Sequence, residues 1–218
     1  MDHLTLTPYY EQSSYLISNS EVFPYLFNNT LYATNAAVMS TILPPLASTI
    51  CQSLPTVHYL DAYCQPLPAL RSASTVARAI FQRAPGWVMA LMRLRDAVVK
   101  RLGLRSTKEA ALEGARPGAG PLHPGDRLGP FQVFSVLPAE VLLGLNDKHL
   151  DFRVAVLVEP AGQSAAIAWV CTAVQFHNVF GRCYFAFIRP FHGLVVRAML
   201  RAGQGRLARE TGCTIHVS

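Results

Sequence analysis

Hydrophobic positions recur every second residue downstream of Phe131 and every three to four residues over Trp87–Leu102, so the chain changes from helical to strand period in its middle. Phe131–Leu137, Glu140–Leu145, Leu150–Val158 and Ala165–Phe176 read as strands joined by short turns, which predicts antiparallel pairing. Alternation is clearest in Leu150–Val158. There Leu150, Phe152, Val154, Val156 and Val158 point one way, and Asp151 and Arg153 point the other. Upstream, Val57–Cys64 reads as the first strand, ended by Pro66 and Pro68. Ser74 is the expected N-cap of a short helix through Arg83, and Pro85 opens a longer one. Trp87, Leu91, Leu94 and Val98, widened by Val88, Met92, Val99 and Leu102, give that helix an apolar face, and Gly103 is its expected stop.

Phe176–His192 organises the rest. Its pattern predicts a strand end, a turn at His177–Gly181, an aromatic strand over Arg182–Ile188, and a helix from Pro190 to about Ala202 that continues toward Glu210. Phe191, Leu194, Val195 and Ala198 form the expected buried stripe of that helix. The order is strand, two helices, a run of antiparallel strands and a C-terminal helix. A sheet that long must curl, and the last helix is its natural cover. The expectation is an α+β helix-grip fold: a curved antiparallel sheet wrapped around a long C-terminal helix, over residues 54–212.

Residues 1–53 differ in composition. They are rich in Ser, Thr, Asn and Tyr and carry no Lys or Arg. They read as a poorly ordered extension whose removal leaves a folded domain, or as the product of a start placed upstream of Met39. A helix packed on the domain is the alternative. Ala36–Ile50 is apolar but broken by Pro44-Pro45 and short for a spanning helix, and no basic n-region precedes it. The expectation is no stable membrane insertion. Residues 105–128 read as a Gly/Pro-rich linker whose glycines fit neither G-x-G-x-x-G nor the P-loop spacing.

Charge and cysteine narrow the function. All 19 Lys and Arg lie from Arg71 onward with nine of the 13 acids, a net of +10 for 71–218. No basic run is dense enough for a nucleic-acid stripe, so a solvated basic face is the reading and no nucleic-acid partner is expected. The five cysteines form no C-x-x-C pair and are odd in number, which argues against a zinc knuckle or a disulfide framework and for a reducing, cytoplasmic setting. Neither a metal nor a cofactor is expected.

Five ordered blocks carry a resemblance: Tyr59-Leu-Asp-Ala-Tyr63; Leu94-Arg-Asp96 with Leu102-Gly-Leu104; Gly144 to Arg153; His177 to Tyr184; and Ile188-Arg-Pro-Phe-His192. Together, over roughly 55–204, they resemble the bacterial family called domain of unknown function 2867 (DUF2867). That resemblance implies a START-like, polyketide-cyclase-like domain, a class that binds small apolar molecules and sometimes acts on them. Some relatives are fused to a nicotinamide-binding Rossmann domain; this chain has none, so a reductase role does not transfer.

Candidate chemistry centres on Asp147, His149, Asp151 and Arg153, which recur every second residue and share a face if all lie on one strand. They read as a carboxylate–imidazole site for a metal or for acid–base work, or as a hydrogen-bonded polar cluster holding the hairpin, with the cluster preferred. Asp151 is expected to pair with Arg182, and Arg189 with Asp96 or Asp61. His192 is expected to be neutral and hydrogen-bonded in the first turn of the last helix, and His177 to cap the turn. No G-x-S-x-G or H-E-x-x-H motif is present. The expected ligand site is therefore Asp151, Arg153, His149, Arg182, Tyr184 and Ala186. Tyr184, Phe185, Phe187, Phe176, Trp169 and Phe152 serve as core or pocket wall. The leading function is binding of a small apolar molecule. The alternatives are a cyclase- or hydratase-like enzyme using Asp151, His149 or Tyr184, and an interaction module partnering an oxidoreductase.

Overall fold

The computed structural model describes residues 39–41, 44–67, 69–101, 120–162 and 165–212. In chain order these form β1 (Met39–Thr41), a 3₁₀ turn (Thr49–Gln52), β2 (Tyr59–Leu67), α1 (Ala73–Phe81), α2 (Gly86–Arg101), β3 (Arg127–Leu128), β4 (Phe131–Val136), β5 (Glu140–Asn146), β6 (Leu150–Ala161), β7 (Ala165–Phe176) and α3 (Val179–Gly212). The strands make one antiparallel sheet in the order β1-β2-β7-β6-β5-β4-β3. Two helices follow β2, and the 34-residue α3 lies on the sheet, the α+β helix-grip-like arrangement expected. Gly103 and the linker up to residue 119 lie outside the described residues. Among those described, no helix is long and apolar enough to cross a membrane.

Strand alternation divides the interior in two. On one face Tyr63, Val133, Val141, Leu143, Val154, Val156, Val158 and Val170 meet α1, Val88 of α2, and Val196, Met199, Leu200 and Leu207 of α3. On the other, Ala62, Leu142, Ala155, Cys171 and Ala173 meet Ile50 and Leu54 from the segment before β2. Residues 39–41 pair with β2 and Ile50 is fully buried, so the expected division at residue 53 does not coincide with a structural break. Residues 1–38 lie outside the described structure.

The chief correction concerns Arg182–Ile188, which is helix, not strand. The Asn178 side-chain oxygen accepts from Gly181 N at 3.0 Å and its carbonyl from Arg182 N at 3.3 Å, so the helix starts beside the expected turn. A Cβ on Gly181 would stand 2.2 Å from the His149 carbonyl oxygen; only glycine lets this turn lie on the β5–β6 hairpin. Pro190 falls inside α3, at an exposed position. The buried stripe runs through Gly181, Phe185, Val196, Met199, Leu200, Gly203 and Leu207, whereas Phe191 and Leu194 are exposed. The aromatic residues that favour strands were thus overridden by the helical spacing of the sites that pack.

Smaller shifts have similar causes. Ser72, not Ser74, caps α1, its hydroxyl accepting from Thr75 N at 3.2 Å. Pro66 does not end β2; it stands beyond the three residues that β1 pairs. Trp87 and Leu94 of α2 are exposed, while Val88 is buried and Met92 half-buried. α2 stands over a cavity instead of a filled core, and among its residues whose side chains are described Val88 alone is buried. At the far end, the Arg206 guanidinium donates to the Ala79 and Arg83 carbonyls and ties α1 to α3.

Candidate functional site

Register builds a row of side chains across the inner face. Asp61 of β2 opposes Thr172 of β7, which opposes Val154 of β6, then Leu143 of β5 and Val133 of β4. The row is polar at the β2 end and apolar at the other. α3 brings His192 over the polar end. Its Nε2 lies 3.3 Å from Asp61 Oδ2 and 3.2 Å from Thr172 Oγ1. Tyr59 donates its hydroxyl to the same Asp61 oxygen at 2.6 Å. Gly193 permits the approach: a Cβ there would stand 2.6 Å from the Tyr63 hydroxyl.

Asp61 is only 8% exposed, and among the described residues its Oδ1 has no hydrogen-bond partner. Burial first, then the hydrogen bond to Asp61 and its charge, hold the Tyr59 phenol well above its usual range. Burial, followed by the charge of Asp61 and, less, a hydrogen bond to that carboxylate, also raises Tyr63, with Arg197 opposing. Arg189 lies over the Tyr59 ring at 5.5 Å and Arg197 over the Tyr63 ring at 5.6 Å. Arg189 therefore stacks on Tyr59, while Asp61 takes His192 and Tyr59; the Asp96 side chain lies outside the described residues. His192 is hydrogen-bonded as expected, but in the fourth turn of α3, because the helix begins eleven residues earlier than the sequence suggested.

Beside this cluster opens a cavity of about 480 Å³ between the sheet, α1, α2 and α3. Phe81, Phe131, Phe152, Val154, Val170 and Met199 are among its walls, and His192, Thr172, Gln82 and Arg93 supply polar side chains. Phe131 stacks on Phe152, and Phe152 meets the His192 ring edge-on.

None of the six residues expected to form the ligand site lines this cavity. Asp151 and Arg153 face the opposite side of β6 from Val154. Asp151 Oδ1 lies 3.3 Å from His177 Nε2, not beside Arg182, and accepts from Asp147 N. His149 Nδ1 meets the Asn178 side chain, and His177 N donates to the His149 carbonyl. These contacts staple the hairpin to the start of α3. Arg153 is buried on the outer face, over the Phe134 ring at 3.9 Å, bonded to the Phe152 carbonyl at 3.0 Å, and burial lowers its pKa. Arg182 and Ala186 are exposed and Tyr184 half-buried, all on helix.

Sequence reasoning missed Asp61, Thr172 and His192 as one cluster. The available signal was Asp61 and Tyr59 two apart on a strand beginning Tyr-Leu-Asp, with a histidine on the covering helix. Among the described residues, no three His, Cys, Asp or Glu side chains are placed to hold a metal ion. No curated protein matches the chain. A family model described as protein of unknown function (DUF2867) matches residues 53–199, an interval that includes Asp61, Thr172 and His192. The chain therefore belongs to the DUF2867 family of proteins of unknown function.

Proposed function

We propose that this domain is a START-like binder of a small, mainly apolar molecule carrying one polar group, held in the cavity under α3 with that group toward His192 and Thr172. The observation that carries the reading is the cavity itself. Its volume falls within the range of small-molecule sites, its walls are mostly aliphatic and aromatic, and its polar side chains are few. A strand face this apolar would ordinarily be filled by its covering helices. Here Val88 alone is buried among the α2 residues whose side chains are described.

Isothermal titration with β-tetralone and acetophenone tests the proposal. Binding with a negative heat-capacity change is expected, the marker of apolar burial. Val195→Phe, at a half-buried wall position on α3, should abolish binding by filling the cavity. Overpacking a filled core costs about 1–3 kcal/mol; here the denaturation midpoint should hardly move. If neither ketone binds and Val195→Phe is strongly destabilising, the cavity reading fails, and a protein-interaction module, such as the partner of an oxidoreductase, takes its place.

A further inference from the structure

We propose that Asp61 and His192 form an acid–base dyad that moves a proton on a carbonyl-bearing molecule in this cavity; the proposal rests on the binding reading above. The Asp61 carboxylate only accepts hydrogen bonds, so the neutral ring beside it carries its proton on Nε2. Nδ1 is then the basic nitrogen, and among the described residues it has no hydrogen-bond partner. His192 lines the cavity, so a base and a ligand meet there.

Asp61 supports that assignment independently. Buried carboxylate oxygens are ordinarily hydrogen-bonded, yet among the described residues Oδ1 has no hydrogen-bond partner. Its charge gains most when the facing ring becomes an imidazolium, the state reached after proton abstraction. His192 is thus the catalytic residue, and Asp61 is a positioning residue that fixes the tautomer.

The step balances without a co-reactant. Nδ1 takes a proton from the carbon next to the carbonyl. The C–H electron pair becomes the C=C bond of an enolate as the carbonyl π pair moves to oxygen. The imidazolium then returns the proton to that carbon or to a conjugated one. Thr172, Gln82 and Arg93 are the donor-bearing cavity side chains available to the developing oxyanion. Tyr59 and Tyr63 on β2, and Arg189 and Arg197 on α3, are the other titratable groups around the dyad.

The test uses β-tetralone in deuterium oxide, following loss of its acidic C–H signal by proton NMR beside calorimetric binding. The full chain should accelerate exchange about a hundredfold over buffer, within the range of general base catalysis. His192→Ala should lose the acceleration while weakening β-tetralone binding by no more than several-fold, and added imidazole should restore exchange. Asp61→Asn should slow exchange about tenfold or more with binding unchanged, since an amide no longer imposes the tautomer. Binding without faster exchange in the wild-type chain overturns the dyad and leaves the binding reading standing. Absence of β-tetralone binding overturns both. Should His192→Ala not fold, the wild-type rate and Asp61→Asn decide the matter: undiminished exchange in Asp61→Asn removes Asp61 from the mechanism.

Discussion

The sheet buries one carboxylate on each face, and the two are treated differently. On the outer face Glu140, 2% exposed, accepts the Ser48 hydroxyl at 2.5 Å, the Thr49 hydroxyl at 2.5 Å and the Thr49 N–H at 3.0 and 3.1 Å. Both its oxygens are used, and the partners come from a segment nearly a hundred residues away. On the inner face Asp61 shares one oxygen between Tyr59 and His192, and among the described residues the other has no hydrogen-bond partner. A carboxylate that is fully hydrogen-bonded holds a chain segment in place; one left incomplete is available for chemistry. The outer face is a clamp, and the inner face carries the proposed site.

Removing the clamp segment should have the largest effect. Deleting residues 1–53 takes away Ile50 and every Glu140 partner named above, a loss of about 4 kcal/mol or more from apolar burial and charge-assisted hydrogen bonds. Urea denaturation of the two chains measures it. Equal midpoints would show that the outer face needs no cover, in keeping with the dispensable extension that composition alone suggests.

Single carboxylates divide the two faces more finely. Glu140→Gln should cost about 2–3 kcal/mol, because the amide nitrogen meets donors on Ser48 and Thr49. Asp61→Asn should change stability by no more than about 1 kcal/mol, since a buried charge with an unpartnered oxygen is neutralised. Equal losses in denaturant titrations would erase the distinction between clamp and site.

The smallest effect is a rate, not a stability. Burial pushes the Cys64 thiol up to about 11, with the Glu159 charge adding to it, and raises Cys171 further still. A raised pKa means less thiolate at any given pH, so at pH 8 both should resist iodoacetamide. Exposed Cys183 should react, and Cys51, raised by partial burial, more slowly. Mass spectrometry of the alkylated chain checks the order. In the chain lacking 1–53, Cys171 should become reactive, since its cover is gone.

Part of this molecule was written in local pattern. The four strands from Phe131 to Phe176 appear close to where alternation puts them, because period two has one structural meaning when turns flank it. Strand, two helices, strands and helix then leave few ways to pack, which is why the helix-grip-like layout followed from order alone. Asp151 and Arg153 were read correctly as facing away from Phe152 and Val154; what the pattern lacked was which side held the cavity.

Residues 182–188 show where local pattern stops. Tyr184, Phe185 and Phe187 favour strands as isolated types, but Gly181, Phe185 and His192 recur at helical spacing, and packing selects between the two periods. Only tertiary structure decided that contest, since Gly181 is worth its place only against the His149 carbonyl. Composition likewise marked residues 1–53 as foreign without showing that Ser48, Thr49 and Ile50 complete the outer face. The Asp61–His192 pair joins residues 131 positions apart through sheet register and helix phase, neither of which is written in any local stretch. The sequence by itself determined most of the elements and their order; the helical state of 182–188 and the meeting of distant side chains at the proposed site came from the packing of one helix on one sheet.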